Sequence, residues 1–293
     1  MMQVPLFKPQ TEWTPPTEFP NLSKYNEIAI DLETKDPDLV KMGSGSVSKN
    51  GDVVGISVAV KGWKGYFPIA HEGGGNMDRA MVLKWFQAVL NTAADKIFHN
   101  SMYDVCWIRS LGLKINGKII DTMIASALVD ENQMRYDLTS CARRYTGQGK
   151  DEAALYEAAK SWGVDAKAEM YKLPAMYVGD YAEKDAEITL ELWQELKKEI
   201  IHQDISSIFN LETELFPCLV DMRFLGVRVD VQGAHKLKQQ LVAQEKKLLQ
   251  EIKKETQVDV QIWAARSIEK VFQKLSLPYE RTEKTSSPSF TKN

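Results

Sequence analysis

The sequence is poor in the features that mark secreted, zinc-binding and membrane proteins. Its three cysteines, Cys106, Cys141 and Cys218, lie far apart in apolar surroundings. Their spacing is not that of a zinc site, and we expect three buried thiols in a reducing compartment. No apolar run approaches the ~18 residues that a membrane span needs, so no transmembrane segment and no membrane partner are expected. The first residues also lack the basic and then apolar plan of a signal peptide.

The chain lacks a strong net charge, but its charges are unevenly distributed. The formal net charge of −3 argues neither for nor against nucleic acid. Residues 232–293 carry 12 Lys and Arg against 7 Asp and Glu, which leaves this tail at +5 and the remainder at −8. An acidic body with a basic tail suits a metal site joined to a segment that meets phosphates, although a solvated charged helix explains the tail equally well.

Hydrophobic periodicity predicts an α/β protein. Residues 1–24 contain five prolines, so we expect an extended arm that lies on the body or is disordered. Strands are predicted at 27–32, 53–60, 65–69, 96–99 and 119–121. Helices are predicted at 77–91, 103–111, 122–129, 138–145, 152–162, 180–202, 205–225, 231–256 and 264–275. Strands first, with helices between and after, indicate a mixed sheet covered by helices.

Several local signals refine this outline. Residues 41–51 are rich in Gly, Ser and Asn, which predicts a flexible loop and a turn. Asp180 is predicted to cap the following long helix with Glu183 as its capping-box partner, and Asp230 to cap a later one. The end of the chain, 282–293, is polar and is expected to be irregular.

The first predicted strand ends in two carboxylates. Side chains two apart on a strand share a face, so Asp31 and Glu33 project the same way. Two like charges side by side are unfavourable unless a cation lies between them, and Mg²⁺ prefers such oxygen ligands. An isolated Asp-x-Glu is more often a pair of solvated edge residues. Whether Asp31 and Glu33 form a metal site therefore depends on the other motifs of the chain.

Two further stretches place carboxylates at the start of predicted helices. Asn100 and Asp104 lie four residues apart where a short strand passes into a helix. Tyr181 and Asp185 lie four residues apart on one face of a long helix. Taken alone, Asp104 would be a helix cap, Asp185 a solvated residue and Tyr181 a partly buried tyrosine.

Together and in this order, the three stretches resemble the motifs of the DEDD-type 3′–5′ exonucleases, tyrosine subclass. The motifs are Asp31-x-Glu33, Asn100-xxx-Asp104 and Tyr181-xxx-Asp185, and residues 120–123 and 136–142 are also similar to the family. None of the four histidines fits the position of Tyr181, which excludes the histidine subclass. The resemblance covers about 25–202 and implies a ribonuclease H-like mixed sheet flanked by helices, followed by a helical C-terminal segment.

Four stretches that follow the exonuclease motifs make the resemblance more specific. Residues 209–217, 222–230, 271–278 and 285–289 resemble the start of the polymerase portion of family A DNA polymerases, the DNA polymerase I group. The predicted domains are a proline-rich arm (1–24), the exonuclease domain (25–205) and a helical segment at the base of the thumb (206–293). Fingers, palm and polymerase carboxylates are not in this sequence, so we expect no primer extension. A fragment, or a phage polymerase encoded in two halves, would have this form.

The resemblance also implies a mechanism with two Mg²⁺ ions, for which Mn²⁺ is expected to substitute. Asp31 is expected to bridge the ions, Glu33 and Asp185 to complete the tighter site, and Asp104 to hold the second ion through water. Tyr181 is expected to orient the attacking water, because a pKa near 10 makes it a poor base.

The substrate expected from the resemblance is a single-stranded DNA 3′ end or a primer terminus. Thr34, Asn100 and Tyr103 are the expected contacts of the terminal nucleotide. The alternatives are an RNA-trimming enzyme of the ribonuclease D kind, and a non-catalytic subunit that binds primer-template DNA or a separate polymerase subunit. The family A tail argues against the first, and the complete set of carboxylates against the second. The cytoplasm of a bacterium or of a phage-infected host is the expected location.

Overall fold

A five-stranded mixed sheet organises the first part of the chain in the computed structural model, which describes residues 11–150 and 152–290. Its strands are β1 (Glu27–Lys35), β2 (Asp52–Val60), β3 (Trp63–Pro68), β4 (Asp95–Phe98) and β5 (Ile119–Asp121). Their order is β3-β2-β1-β4-β5, with β1 antiparallel to β2 and parallel to β4. The mixed sheet flanked by helices confirms the predicted fold class.

Helices make up most of the remaining structure, and apart from two short helices before β2 their bounds lie close to the predicted ones. They are α1 (Leu39–Met42), α2 (Gly45–Ser48), α3 (Arg79–Leu90), α4 (Ser101–Ser110), α5 (Thr122–Val129), α6 (Leu138–Tyr145), α7 (Ala153–Trp162), α8 (Gly179–His202), α9 (Ser206–Leu225), α10 (Val231–Thr256) and α11 (Ala265–Lys274). Within the described ranges, none of them is long and apolar enough to cross a membrane.

The two faces of β1 have different partners. Ile28, Ile30 and Leu32 are buried in a core cluster that includes side chains of α3 and α4. Ala29 lies in a second cluster, which contains Ala186 and other side chains of α8. Because side chains alternate along a strand, Asp31 and Glu33 follow Ala29 onto the face that α8 covers. The packing of α8 therefore brings its own polar residues to the carboxylates of β1.

The described part of the proline-rich arm, residues 11–24, lies on the body without regular secondary structure. Trp13 is buried, and its Nε1 donates a hydrogen bond of 2.9 Å to Glu183 on α8. Phe19 stacks on Phe67 of β3, with 5.8 Å between ring centroids. This packing agrees with the first of the two states predicted for the arm, and residues 1–10 lie outside the described residues.

Several local predictions were wrong, because contacts with other parts of the chain determine the structure at these positions. Asp180 does not cap α8, because the helix begins at Gly179 and has no side-chain cap. Glu183 is not its capping-box partner either, since it accepts hydrogen bonds from Trp13 Nε1 and from the backbone N–H of Tyr66. The predicted loop at 41–51 overlaps the end of α1 and contains α2. Asp36 accepts a hydrogen bond from the N–H of Gly45, where α2 begins. The polar end forms a short antiparallel pair, β6 (Glu280–Arg281) with β7 (Pro288–Ser289).

Helix α9 belongs to the first compact unit, which ends at Gly226. Phe216 and Val220 are buried in the core cluster of β1, α3 and α4. Cys218 lies between them on the opposite side of the helix and is exposed, so the prediction of a buried thiol was wrong there and correct for the other two cysteines. The structural division thus follows α9, whereas the assignment of domains at 25–205 and 206–293 stays a prediction.

The second compact unit, Val227–Asn293, contains α10 and α11. Asp230 caps α10 as predicted, since its Oδ1 accepts a 2.8 Å hydrogen bond from the N–H of Gly233. Three leucines recur along α10 and are about half exposed: Leu237, Leu241 and Leu248, at 54%, 54% and 50%. This helix therefore has an apolar stripe that remains in contact with solvent.

Candidate active site

The first two carboxylates lie inside β1, because the strand continues to Lys35 instead of ending at Leu32. Both are half-buried, with Asp31 opposite Ser57 and Glu33 opposite Gly55 of β2. A Cβ at Gly55 would lie 1.9 Å from the hydroxyl of Tyr66, so only glycine fits beside Glu33. The register shifts directly after Glu33, and this bulge ends the regular alternation of β1.

The third carboxylate, Asp104, comes from the first turn of α4 and is 4% exposed. It is not the helix cap that its position suggests, because Oδ1 accepts a 3.0 Å hydrogen bond from the backbone N–H of Leu32. The residue at the cap position is Asn100, which has a φ of +65°. Asparagine tolerates this left-handed conformation better than most residues. The turn at Asn100 aims α4 so that Asp104 reaches β1.

Asp121 at the end of β5 holds this helix start in place, a role that the sequence did not reveal. Its buried carboxylate accepts hydrogen bonds from the backbone N–H groups of Asn100 and Ser101, at 3.0 and 2.7 Å. It also accepts from the hydroxyl of Ser101 and from the N–H of Met123 in α5. One carboxylate therefore satisfies donors at the start of two helices.

The fourth carboxylate, Asp185 on α8, is 4% exposed, and its two oxygens have different surroundings. Its Oδ2 accepts a 2.6 Å hydrogen bond from the ammonium of Lys150. Its Oδ1 is buried and has no hydrogen-bond partner among the described residues. The same ammonium lies 5.3 Å from the ring centroid of Tyr181. Lys150 was missed from the sequence, where the only signal was a basic residue after the glycine-rich stretch Gly147-Gln148-Gly149.

Burial and mutual repulsion raise the pKa values of these four carboxyl groups. Desolvation, followed by the charge of Asp185, raises the pKa of Asp31 to about 7. Desolvation and the charge of Asp31 raise the pKa values of Glu33 and Asp104 well above their ordinary range. Desolvation also raises the pKa of Asp185, against the lowering effect of Lys150. Carboxyl groups that raise each other's pKa in this way form a site that favours cations.

The ring hydroxyl of Tyr181 is a poor proton acceptor in this environment. Burial, and after it the charge of Asp185, raises the pKa of Tyr181 above its ordinary value of 10. The neutral phenol therefore persists through the physiological range and is suited to orienting a water molecule by hydrogen bonding.

The donor set fits a hard divalent cation, although the side chains are not arranged as ligands in the structure. Within residues 11–150 and 152–290, no three His, Cys, Asp or Glu side chains converge closely enough to hold an ion. Asp104 is engaged by Leu32, and one oxygen of Asp185 by Lys150. The partnerless, buried Oδ1 of Asp185 and the all-carboxylate chemistry suit Mg²⁺, which prefers oxygen ligands.

The three residues expected to bind substrate are placed differently. Thr34 and Tyr103 are brought together, with 2.6 Å between their hydroxyl oxygens. The Tyr103 hydroxyl also lies 3.2 Å from Asp36, which in turn accepts from the start of α2. The side chain of Asn100 is exposed at the start of α4. The first two thus link β1, α4 and the segment that contains α2.

Known proteins resemble this chain in sequence. Residues 17–201 match a family model described as 3′–5′ exonuclease of family A DNA polymerases. A DNA-directed DNA polymerase of Pseudomonas phage M6 is 37% identical over 78% of this chain and 36% of its own length. DNA polymerase I of Pseudomonas aeruginosa is 30% identical over 71% of this chain and 22% of its own length. The chain therefore spans about a third or less of these relatives.

A solved structure shows the same fold. The POL domain of Pol1 from M. smegmatis, in complex with DNA primer-template and dNTP, has a TM-score of 0.64 and 16% identity. The match covers 92% of this chain and 41% of that one. At this identity the likeness concerns the fold alone, whereas the family model covers more than half of the chain. The chain belongs to the 3′–5′ exonuclease family of the family A DNA polymerases.

Proposed function

We propose that this protein is a metal-dependent nuclease that removes nucleoside monophosphates from single-stranded DNA 3′ ends, as the proofreading part of a family A DNA polymerase. The observation that carries the proposal is the group of four carboxylates from β1, α4 and α8, whose burial raises their pKa values. Such a group is unfavourable for the fold alone and favourable for binding cations.

The four carboxylates are the proposed metal ligands. Asp31 would hold both of two Mg²⁺ ions, Glu33 and Asp185 one of them, and Asp104 the other through water, with Mn²⁺ as a substitute. The bound ions would lower the pKa of the attacking water and neutralise charge on the phosphate. Asp185 would offer Oδ1, the oxygen without a partner among the described residues. Asp104 would turn towards the ion through the oxygen that Leu32 does not hold.

The remaining site residues would handle water and substrate. Tyr181 stays protonated, so its hydroxyl would orient the attacking water without removing its proton. Thr34 and Tyr103 present hydroxyl groups near β1, and Asn100 presents an exposed amide at the start of α4. All three are proposed contacts of the terminal nucleotide. A single-stranded end suits this site because its bases can stack on aromatic rings without groove readout.

The wider setting is proposed from the relatives. The region 25–205 would be the exonuclease domain and 206–293 the helical start of a polymerase portion. A primer terminus is the proposed substrate, and a polymerase subunit that carries fingers and palm is a proposed partner. The cytoplasm of a bacterium or of a phage-infected host is the proposed location. Trimming of RNA is the alternative, and the DNA polymerase relatives favour DNA over it.

The test is degradation of a labelled single-stranded DNA oligonucleotide by the full chain with Mg²⁺, next to RNA of the same sequence. Products shortened one nucleotide at a time from the 3′ end, faster on DNA and blocked by EDTA, are expected. Faster degradation of RNA would favour the trimming enzyme. Inertness towards both substrates in Mg²⁺ and in Mn²⁺ would contradict the proposal.

A further inference from the structure

Lys150 forms an ion pair with Asp185, and this pair is unusually deeply buried. The Lys150 side chain is 9% exposed and that of its partner Asp185 is 6% exposed, which makes this the most buried ion pair of the described residues. Taking both charges out of water costs several kcal/mol per ion, so such a pair is a weak source of stability. Stabilisation of the fold therefore does not explain why Lys150 is buried at this position.

The ammonium of Lys150 acts on several carboxylates at once. Its charge lowers the pKa values of Asp31, Glu33 and Asp185, against the desolvation that raises them. It also lies above the ring of Tyr181, 5.3 Å from the centroid. A cation in this position lies beside the oxygens that are proposed as metal ligands. It must repel any divalent ion that binds to the other oxygen of Asp185.

The chain around Lys150 allows its ammonium to move to a new partner. Lys150 follows α6 in a segment with Gly147, whose φ is +71°, and Gly149. The lysine stem has four carbons and a freely turning ammonium. Gln148 of the same segment accepts a hydrogen bond from Lys184 on α8, which keeps this segment beside the site.

Charge balance indicates what that partner is. Four carboxylates and two divalent ions are neutral together, and this count rests on the proposed function. A phosphodiester then adds one negative charge, which a single ammonium matches. Attack by hydroxide adds a further negative charge in the transition state, where a fixed cation stabilises most.

We propose that Lys150 is a further catalytic residue of this nuclease: its ammonium exchanges Asp185 for the phosphate that is cut, and until then it opposes metal binding. Metal and DNA binding are thereby coupled, since the phosphate draws away the cation that repels the ions. Coupling of this kind is reciprocal, so metal also tightens the binding of DNA.

The proposal has a signature that a purely structural lysine would not have. In Lys150→Gln, loss of the positive charge should tighten Mn²⁺ binding to the DNA-free protein, by about 3- to 30-fold for one charge removed near the ion. The same variant should cleave DNA about 100- to 1000-fold more slowly at saturating metal, because a group that stabilises the transition state is missing. If Lys150 only supported the fold, its replacement would weaken Mn²⁺ binding and slow cleavage together.

The experiment measures the two quantities separately in the full chain. Isothermal titration gives Mn²⁺ affinity without DNA, and single-turnover cleavage of a labelled single-stranded oligonucleotide gives the rate. Lys150→Arg, which keeps the charge, should restore both to within about tenfold of the wild type. Lys197→Gln is the matched control, because this half-exposed lysine lies on the same helix as Asp185 and pairs with Glu27. It should behave as the wild type does.

The outcomes separate this inference from the function on which it rests. A wild type that does not cleave DNA would overturn the nuclease itself. An active wild type with a Lys150→Gln variant that cleaves normally, or binds Mn²⁺ more weakly, would overturn the role of Lys150 alone. If Lys150→Gln fails to fold by circular dichroism, Lys150→Met keeps the length of the side chain without its charge. Lys150→Met must then bind Mn²⁺ more tightly and cleave DNA more slowly than the wild type.

Discussion

The backbone N–H of Leu32 donates a 3.0 Å hydrogen bond to Asp104 Oδ1, so the strand of the first two carboxylates is tied directly to the third. This bond joins residues 72 positions apart in the sequence. The two oxygens of Asp104 therefore have different roles: Oδ1 supports the fold, and Oδ2 remains available for chemistry.

This division predicts different results for two substitutions of Asp104. Asp104→Asn keeps an acceptor for Leu32 and removes the charge, so the fold should persist while nuclease activity is lost. Asp104→Ala leaves a buried N–H unpaired, which should lower the free energy of unfolding by about 1–3 kcal/mol. Urea denaturation and cleavage of labelled DNA check the two expectations. Equal stability of the two variants would contradict them.

Asp31→Ala should abolish cleavage without destabilising the protein. The pKa of Asp31 is about 7 in the folded chain, above its ordinary value of 3.8. The folded state therefore binds this proton more tightly than the unfolded state does, and stability falls as pH rises from about 4 to about 7. At pH 8 in EDTA the alanine variant should melt at or above the temperature of the wild type. Near wild-type cleavage by this variant would refute the metal assignment.

Tyr181→Phe removes one hydroxyl and keeps the ring in place. Positioned proton-transfer groups contribute about 10²–10⁴-fold in general, and a role limited to orienting water should contribute less, about 10- to 1000-fold. The rate should fall at all pH values by a similar factor, since the raised pKa of Tyr181 keeps its hydroxyl protonated. An unchanged rate would leave the tyrosine as a packing residue.

The parts of this structure that the sequence predicted are those governed by local periodicity. Ile28, Ile30 and Leu32 alternate with small or polar residues in β1, so the shared face of Asp31 and Glu33 followed from their spacing. Helices α5, α6 and α10 have the predicted bounds. The spacing of Tyr181 and Asp185 likewise placed both on one side of α8.

The parts that it missed depend on distant partners. Lys150 meets Asp185 across 35 positions, and Trp13 recruits Glu183 across 170, so neither contact has a local signal. The cap of α4 comes from Asp121, on another strand. Composition also predicted a flexible loop at 41–51, where Asp36 instead stabilises the start of α2.

His71 predicts a loss of stability in mild acid. It is buried, with Nε2 2.6 Å from the Tyr66 hydroxyl and Nδ1 3.0 Å from the carbonyl oxygen of Leu173. Burial lowers its pKa from 6.5 to about 4. The unfolded chain therefore takes up the proton first, and stabilisation by His71 is lost as pH falls from about 6.5 to about 4.

The comparison with His71→Gln isolates this effect from the carboxylates, whose raised pKa values act in the opposite direction. The wild type should be more stable than the variant at pH 7, and the difference should shrink towards pH 4. Urea titrations at several pH values measure it. A difference that stays constant with pH would show that His71 does not titrate as stated.

Truncation should distinguish the two possible boundaries of the chain. A cut after Gly226 keeps α9, whose Phe216 and Val220 are buried with the sheet, so residues 1–226 should fold and retain cleavage. A cut at 205 removes these side chains and should give an unstable or aggregating protein. The loss of the basic residues of 227–293 should also weaken DNA binding and reduce its dependence on salt. Identical salt dependence would make 227–293 irrelevant to DNA binding.

The cap that Asp121 provides from a neighbouring strand has a consequence for how the site can change. Most helices draw their cap from the residue that precedes them, which ties that position to Ser, Thr, Asp or Asn. Here the donors at the start of α4 are satisfied from outside, and the amide of Asn100 makes no side-chain cap. Position 100 is therefore restricted mainly by its left-handed backbone, and its side chain is free to evolve with the substrate while Asp121 preserves the fold.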